Sequence, residues 1–173
     1  MEKQWHKHTP IEASPMPGVE RGRLLLQIPA SSIEIPAMVI SYAALGEFMP
    51  KEEYHVTVVG KKTQERLLAE GVLDEVVDLL ENTPPWNIIS FDDIFSIRNI
   101  ETDGNGNQVI EESIIQLVTL HGLDEMYDQI REVAGLDIPT PPAHITLFTK
   151  NADRGIGLYS NIQLAEYVTK RLV

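Results

Sequence analysis

Cysteine is absent from the 173-residue sequence, which excludes disulfides, thiolate metal sites and cysteine nucleophiles and fits a reducing compartment. Positive charge is scarce: 14 Lys and Arg stand against 26 Asp and Glu, a formal net charge of −12. Tight, non-specific binding to a long nucleic acid depends on many Lys and Arg contacts to phosphate, so that partner is not expected. A single pocket can be positive in an acidic protein, which leaves a small phosphate compound or a nucleic-acid terminus as a ligand. No apolar run approaches the roughly 20 residues that span a bilayer, and residues 1–10 are too polar and interrupted for a signal-peptide core. The expectation is a cytoplasmic protein with no membrane partner; the sequence carries no signal of oligomeric state.

What is present suits an ordinary folded domain, with 43% hydrophobic and 23% charged residues. Pro10, Pro15, Pro17 and Gly18 predict an irregular arm over residues 1–20, followed by one domain over 21–173 with two lobes. Residues 23–28 and 37–42 are short apolar runs bounded by Pro29, Pro36 and Gly46, the pattern of buried strands. Residues 54–59, rich in β-branched side chains, predict another strand. After it, Thr63 as an N-cap and apolar residues from Leu67 to Leu80 predict a helix of about five turns, with Gly71 weakening its centre. Residues 86–100 and 109–120 flank Asp103-Gly-Asn-Gly-Asn107 and predict a long hairpin. A helix is expected over 123–134, closed by Gly135, then a strand over 143–148 and a helix over 161–172 that Ser160 caps. This order implies an α+β fold with antiparallel strands.

Two of these strands carry the same pattern: His55-Val-Thr57 and His144-Ile-Thr146, each embedded in apolar neighbours. Residues i and i+2 of a strand share a face, so each His projects beside its Thr while the apolar partners point the other way. Two such strands facing each other would line a symmetrical polar cleft. Breaking a phosphate ester needs one group to take a proton from the nucleophile and another to protonate the departing oxygen. Two imidazoles can do both near neutral pH, and threonine hydroxyls can donate to the non-bridging oxygens. That scheme needs no metal and no cofactor.

The paired triplets resemble the signature of the two-histidine (2H) phosphoesterase superfamily, which includes cyclic phosphodiesterases, RNA 2′-5′ ligase-like proteins and enzymes that trim RNA ends. The resemblance implies a bilobal α+β fold, with antiparallel sheets around a central cleft and helices packed outside. It implies His55 and His144 as the acid–base pair and Thr57 and Thr146 as the phosphate-holding residues, with either histidine able to be the acid. The expected substrate is a 2′,3′-cyclic nucleotide or a cyclic phosphate on an RNA end. The segment before His55 departs from the family layout, reading as strands and irregular chain where many members have a helix. A second departure lies after the second triplet, where Phe148-Thr149-Lys150 follows and the family often has a basic residue closer behind; Lys150 or Arg154 is the candidate phosphate contact here.

Other readings lead to different chemistry. A non-catalytic nucleotide- or RNA-end-binding module would keep the same cleft without turnover. A metal-dependent hydrolase would need compact ligand spacing, and the candidates for it read as surface. His6-Lys-His8 reads as a pair of incidental histidines near a terminus, and His121 as a turn residue. Asp92-Asp93, Glu111-Glu112 and Glu52-Glu53 read as solvated surface, because adjacent strand residues point to opposite faces. Gly155-Ile-Gly157 could bring backbone N–H groups to a phosphate, though a plain turn before a helix would use the same glycines.

Overall fold

In the computed structural model, residues 9–173 are described; the pair His6 and His8 lies outside them. The strands are β1 (Ile11–Pro15), β2 (Leu24–Ile28), β3 (Met49–Pro50), β4 (Tyr54–Val59), β5 (Trp86–Thr102), β6 (Gln108–Leu120), β7 (His144–Lys150) and β8 (Val168–Arg171). The helices are α1 (Ala37–Leu45), α2 (Lys61–Ala69), α3 (Leu73–Glu81), α4 (Leu123–Ala134) and α5 (Asn161–Tyr167), with one turn of 3-10 helix at Ala30–Ser32. All strand pairs are antiparallel and belong to one sheet in the order β1-β2-β4-β7-β6-β5-β8. Because β1 also pairs with β5, six strands close into a barrel, with β3 attached to β7 and β8 to β5. The α+β class with antiparallel strands is as expected, but the strands share one closed sheet instead of separate ones.

The register that matters is set by burial. Val56 and Val58 on β4 and Ile145 and Leu147 on β7 are fully buried in the main core. Each such side chain contributes about 1.5–3 kcal/mol, and a one-residue slip would turn all four out of the core. Tyr127 on α4 adds a fixed point, its hydroxyl donating to the carbonyl of Val58 at 2.5 Å. The long hairpin of β5 and β6 forms as its turn residues predict: Asp103 Oδ1 accepts from the amides of Asn105 and Asn107, and Gly106 takes φ +82°.

Several elements differ from the sequence reading. Residues 11–15 of the expected irregular arm form β1, which pairs with β2 and β5 and buries Ala13. Residues 37–42, expected as a strand, lie in helix α1, which also supplies a helix before His55. Val39 and Ala43, four apart, form its buried stripe, and Ala37, Ala43, Ala44 and Leu45 favour helix locally. The single helix expected after β4 is two, because Gly71 adopts φ +71° and turns the chain between them. Gly60 occupies the N-cap there, while Thr63 is buried inside the first turn. The last expected helix ends at Tyr167, and the chain continues as β8, where backbone pairing to β5 outweighs helical spacing. The Ser160 cap is present, accepting from the amide of Gln163.

Candidate active site

With Val56 paired to Ile145 in antiparallel register, His55 stands opposite Thr146 and Thr57 opposite His144. Directly opposed residues share a face, so the four polar side chains of the two triplets form one patch. All four line a cavity of about 620 Å³. The sequence placed each His beside its own Thr; the sheet also crosses the two triplets, each His facing the other triplet's Thr.

The two histidines are not equivalent. His144 is buried, and its Nδ1 lies 2.9 Å from the carbonyl oxygen of Pro142. A carbonyl only accepts, so Nδ1 carries the hydrogen and Nε2 of the neutral ring keeps its lone pair. Burial lowers the His144 pKa below 6.5, against the opposing pull of the Pro142 and Ile156 carbonyls. His55 is partly buried on β4. Its pKa is also lowered, first by burial and then by the charges of His144, Lys51 and Arg23, with Glu53 opposing.

Each threonine is backed by a glycine. A Cβ placed on Gly155 would collide with Thr146 Oγ1, and one on Gly60 would lie 3.4 Å from Thr57 Cγ2. Gly155 belongs to a segment, residues 151–160, held by long-range hydrogen bonds on both sides of it. Asn151 Nδ2 donates to Ile110 O at 3.1 Å, Lys51 Nζ to Asp153 O at 2.8 Å, and the Ile156 amide to the buried Ser113 Oγ at 3.3 Å. Ile156 and Leu158 anchor it further in a small apolar cluster with Ile97 and Ile115.

The cavity differs in charge from the rest of the chain. Of the 14 Lys and Arg, five line it, against four of the 26 acidic residues. Among the described residues, Arg23, Lys51, Lys62, Arg66, Arg154 and Lys170 form no ion pair with a carboxylate, and four of these six line the cavity. In a protein with a large excess of carboxylates, unpaired cations gathered in one concavity make a site for an anion.

Of the two basic residues considered from sequence, Arg154 lines the cavity. Lys150 does not; it lies 3.9 Å from Glu112 and over the Phe48 ring. Gly155 and Gly157 both line the cavity, while the amide of Ile156 between them donates to Ser113 Oγ. Asp92 and Asp93 serve structure, accepting from Ser90, Thr119 and Arg171, but Glu53 and Glu111, expected as plain surface, reach the cavity. Arg23, Lys51, Lys62 and Tyr159 were not singled out in the sequence. Arg23 and Lys51 flank strands with no motif around them, and the long-range pairing that brings them to His55 has no local signal. Among the described residues, no three His, Asp or Glu side chains gather as a metal site would require, and no helix is long and apolar enough to cross a membrane.

Compared with family models, with curated proteins and with solved structures, the chain matches none.

Proposed function

We propose that the cavity is the active site of a metal-independent phosphodiesterase acting on 2′,3′-cyclic nucleotides or on RNA-end cyclic phosphates. The observation that carries the reading is the crossed pairing of the triplets, His55 opposite Thr146 and Thr57 opposite His144, inside an anion-favouring cavity. One histidine takes a proton from water as its oxygen bonds to phosphorus; the other gives a proton to the ribose oxygen as the P–O bond to it breaks. Thr57 and Thr146 donate hydrogen bonds to the non-bridging oxygens, and Arg23 and Lys51 offset the negative charge there. The lowered histidine pKa values suit a resting site with neutral imidazoles, and an incoming phosphate anion favours protonating one of them.

The family resemblance and its two-lobed form belong to this proposal. β1, β2 and β4 make one side of the histidine pair and β5, β6 and β7 the other, joined where β4 meets β7 and again where β1 meets β5. The test is conversion of 2′,3′-cyclic nucleotides to nucleoside monophosphates with a chelator present. Saturable binding of the nucleotides without any product would replace this reading with a non-catalytic binding module.

A further inference from the structure

The cavity cations fall into two groups. Arg23 and Lys51 lie close enough to His55 to lower its pKa, which puts them beside the triplets. Lys61, Lys62 and Arg154 line the same cavity, and Lys61 and Lys62 open α2 beyond the end of β4, whereas His55 lies at the start of that strand. Lys61 has Glu65 3.8 Å away, whereas Lys62 has no carboxylate partner; its Nζ sits 4.5 Å from the centre of the Tyr159 ring. That ring is held by two hydrogen bonds, its hydroxyl accepting from Arg66 Nη1 of α2 at 3.0 Å and its backbone amide donating to Gln163 Oε1 at 2.7 Å. Lys62 is thus a cation without a carboxylate partner, resting on a hydrogen-bonded aromatic ring, and a phosphate anion would draw it away from that ring at little cost. The carboxylates Glu101 and Glu111 of the long hairpin line the cavity as well, and Glu65 is taken up by Lys61. A second anionic group on the ligand is repelled by these carboxylates and accepted by the unpaired Lys62.

We propose, on the basis of the phosphodiesterase reading, that the cavity binds a second phosphate of its substrate at Lys62, apart from the phosphate at the histidines. The substrate class is then a cyclic phosphate on a nucleotide bearing a further phosphate, not a bare cyclic mononucleotide. That further phosphate is either a 5′-monoester or the internucleotide diester of an RNA end; both offer non-bridging anionic oxygens to a lysine, three on the monoester and two on the diester.

The test is equilibrium binding, which does not depend on turnover. Adenosine 3′-phosphate, adenosine 3′,5′-bisphosphate and the dinucleotide ApAp are titrated into the wild type, Lys62→Gln and Lys170→Gln, at one fixed ionic strength. Lys170 removes the same charge outside the cavity, where it rests on Tyr42. A charge-assisted contact to the second phosphate is expected to tighten binding about tenfold over the monophosphate. Lys62→Gln should abolish that gain and Lys170→Gln should preserve it. A gain confined to the bisphosphate assigns the 5′-monoester, and one confined to ApAp assigns the internucleotide diester. Equal affinity for all three ligands in the wild type, or a gain that survives Lys62→Gln, overturns the proposal. Loss of the phosphodiesterase reading would show separately, as binding without hydrolysis of cyclic nucleotides.

Discussion

Nδ1 of His144 donates to the carbonyl of Pro142 across 2.9 Å, which fixes the tautomer and aims the ring. A ring held this way at Nδ1 works through Nε2. His144→Ala is expected to lower kcat by about 10²–10⁴-fold, the usual contribution of a general acid or base, with the fold intact by circular dichroism. His144→Asn, whose shorter amide can still donate to the carbonyl but titrates nowhere near neutrality, should be equally inactive and more stable than His144→Ala.

Both histidines have folded-state pKa values below the ordinary 6.5. Between those values and 6.5 the unfolded chain binds more protons, so stability is full above about pH 6.5 and falls as the pH drops through the folded values. Urea midpoints measured between about pH 7 and about pH 5.5 should decline less in His144→Asn than in the wild type. The acid limb of kcat/KM for a cyclic nucleotide should correspondingly lie below pH 6.5, since it reports the base of the free enzyme.

Lys51 and Arg23 are among the causes that depress His55. Lys51→Met removes one positive charge and one anchor of the segment at Asp153. The His55 pKa, followed by imidazole proton NMR, should rise towards 6.5, and KM for a phosphate substrate should rise with it. An unchanged His55 titration would show that this charge is screened from the ring.

Gly155→Ala sets a methyl group against Thr146. Overpacking of this kind costs about 1–3 kcal/mol, which if expressed at the threonine corresponds to a loss of kcat/KM of roughly 5- to 150-fold. Gly157→Ala, whose Cβ would meet nothing within 4 Å, is the matched comparison and should stay close to wild type. Equal activity in the two variants would deny Thr146 a role.

The candidate site was legible to the extent that strand periodicity carries it. Alternation in residues 54–59 and 143–148 gives each His the same face as its Thr, and buried valine, isoleucine and leucine hold that face in place. Long-range consequences were not legible. That β4 pairs with β7, that Arg23 and Lys51 reach His55, and that the sheet closes through β1 and β5 depend on contacts dozens of residues apart. Where local signals competed, the sequence misled. Residues 37–45 are apolar on nearly every side, with Met38, Ile40 and Leu45 exposed, so neither period stands out and tertiary packing of Val39 and Ala43 decides for helix. The terminal segment shows the reverse, a helical pattern cut short at Tyr167 by pairing of Val168–Arg171 to β5.

The central claim is that His55 and His144 act as a pair on one phosphate, and hydrolysis of a panel of 2′,3′-cyclic nucleotides with chelator present tests it most directly. Wild type, His55→Ala and His144→Ala are compared, each checked for folding. The account predicts turnover by the wild type and a loss of about 10²–10⁴-fold in each variant; a folded His55→Ala variant as active as the wild type would contradict it.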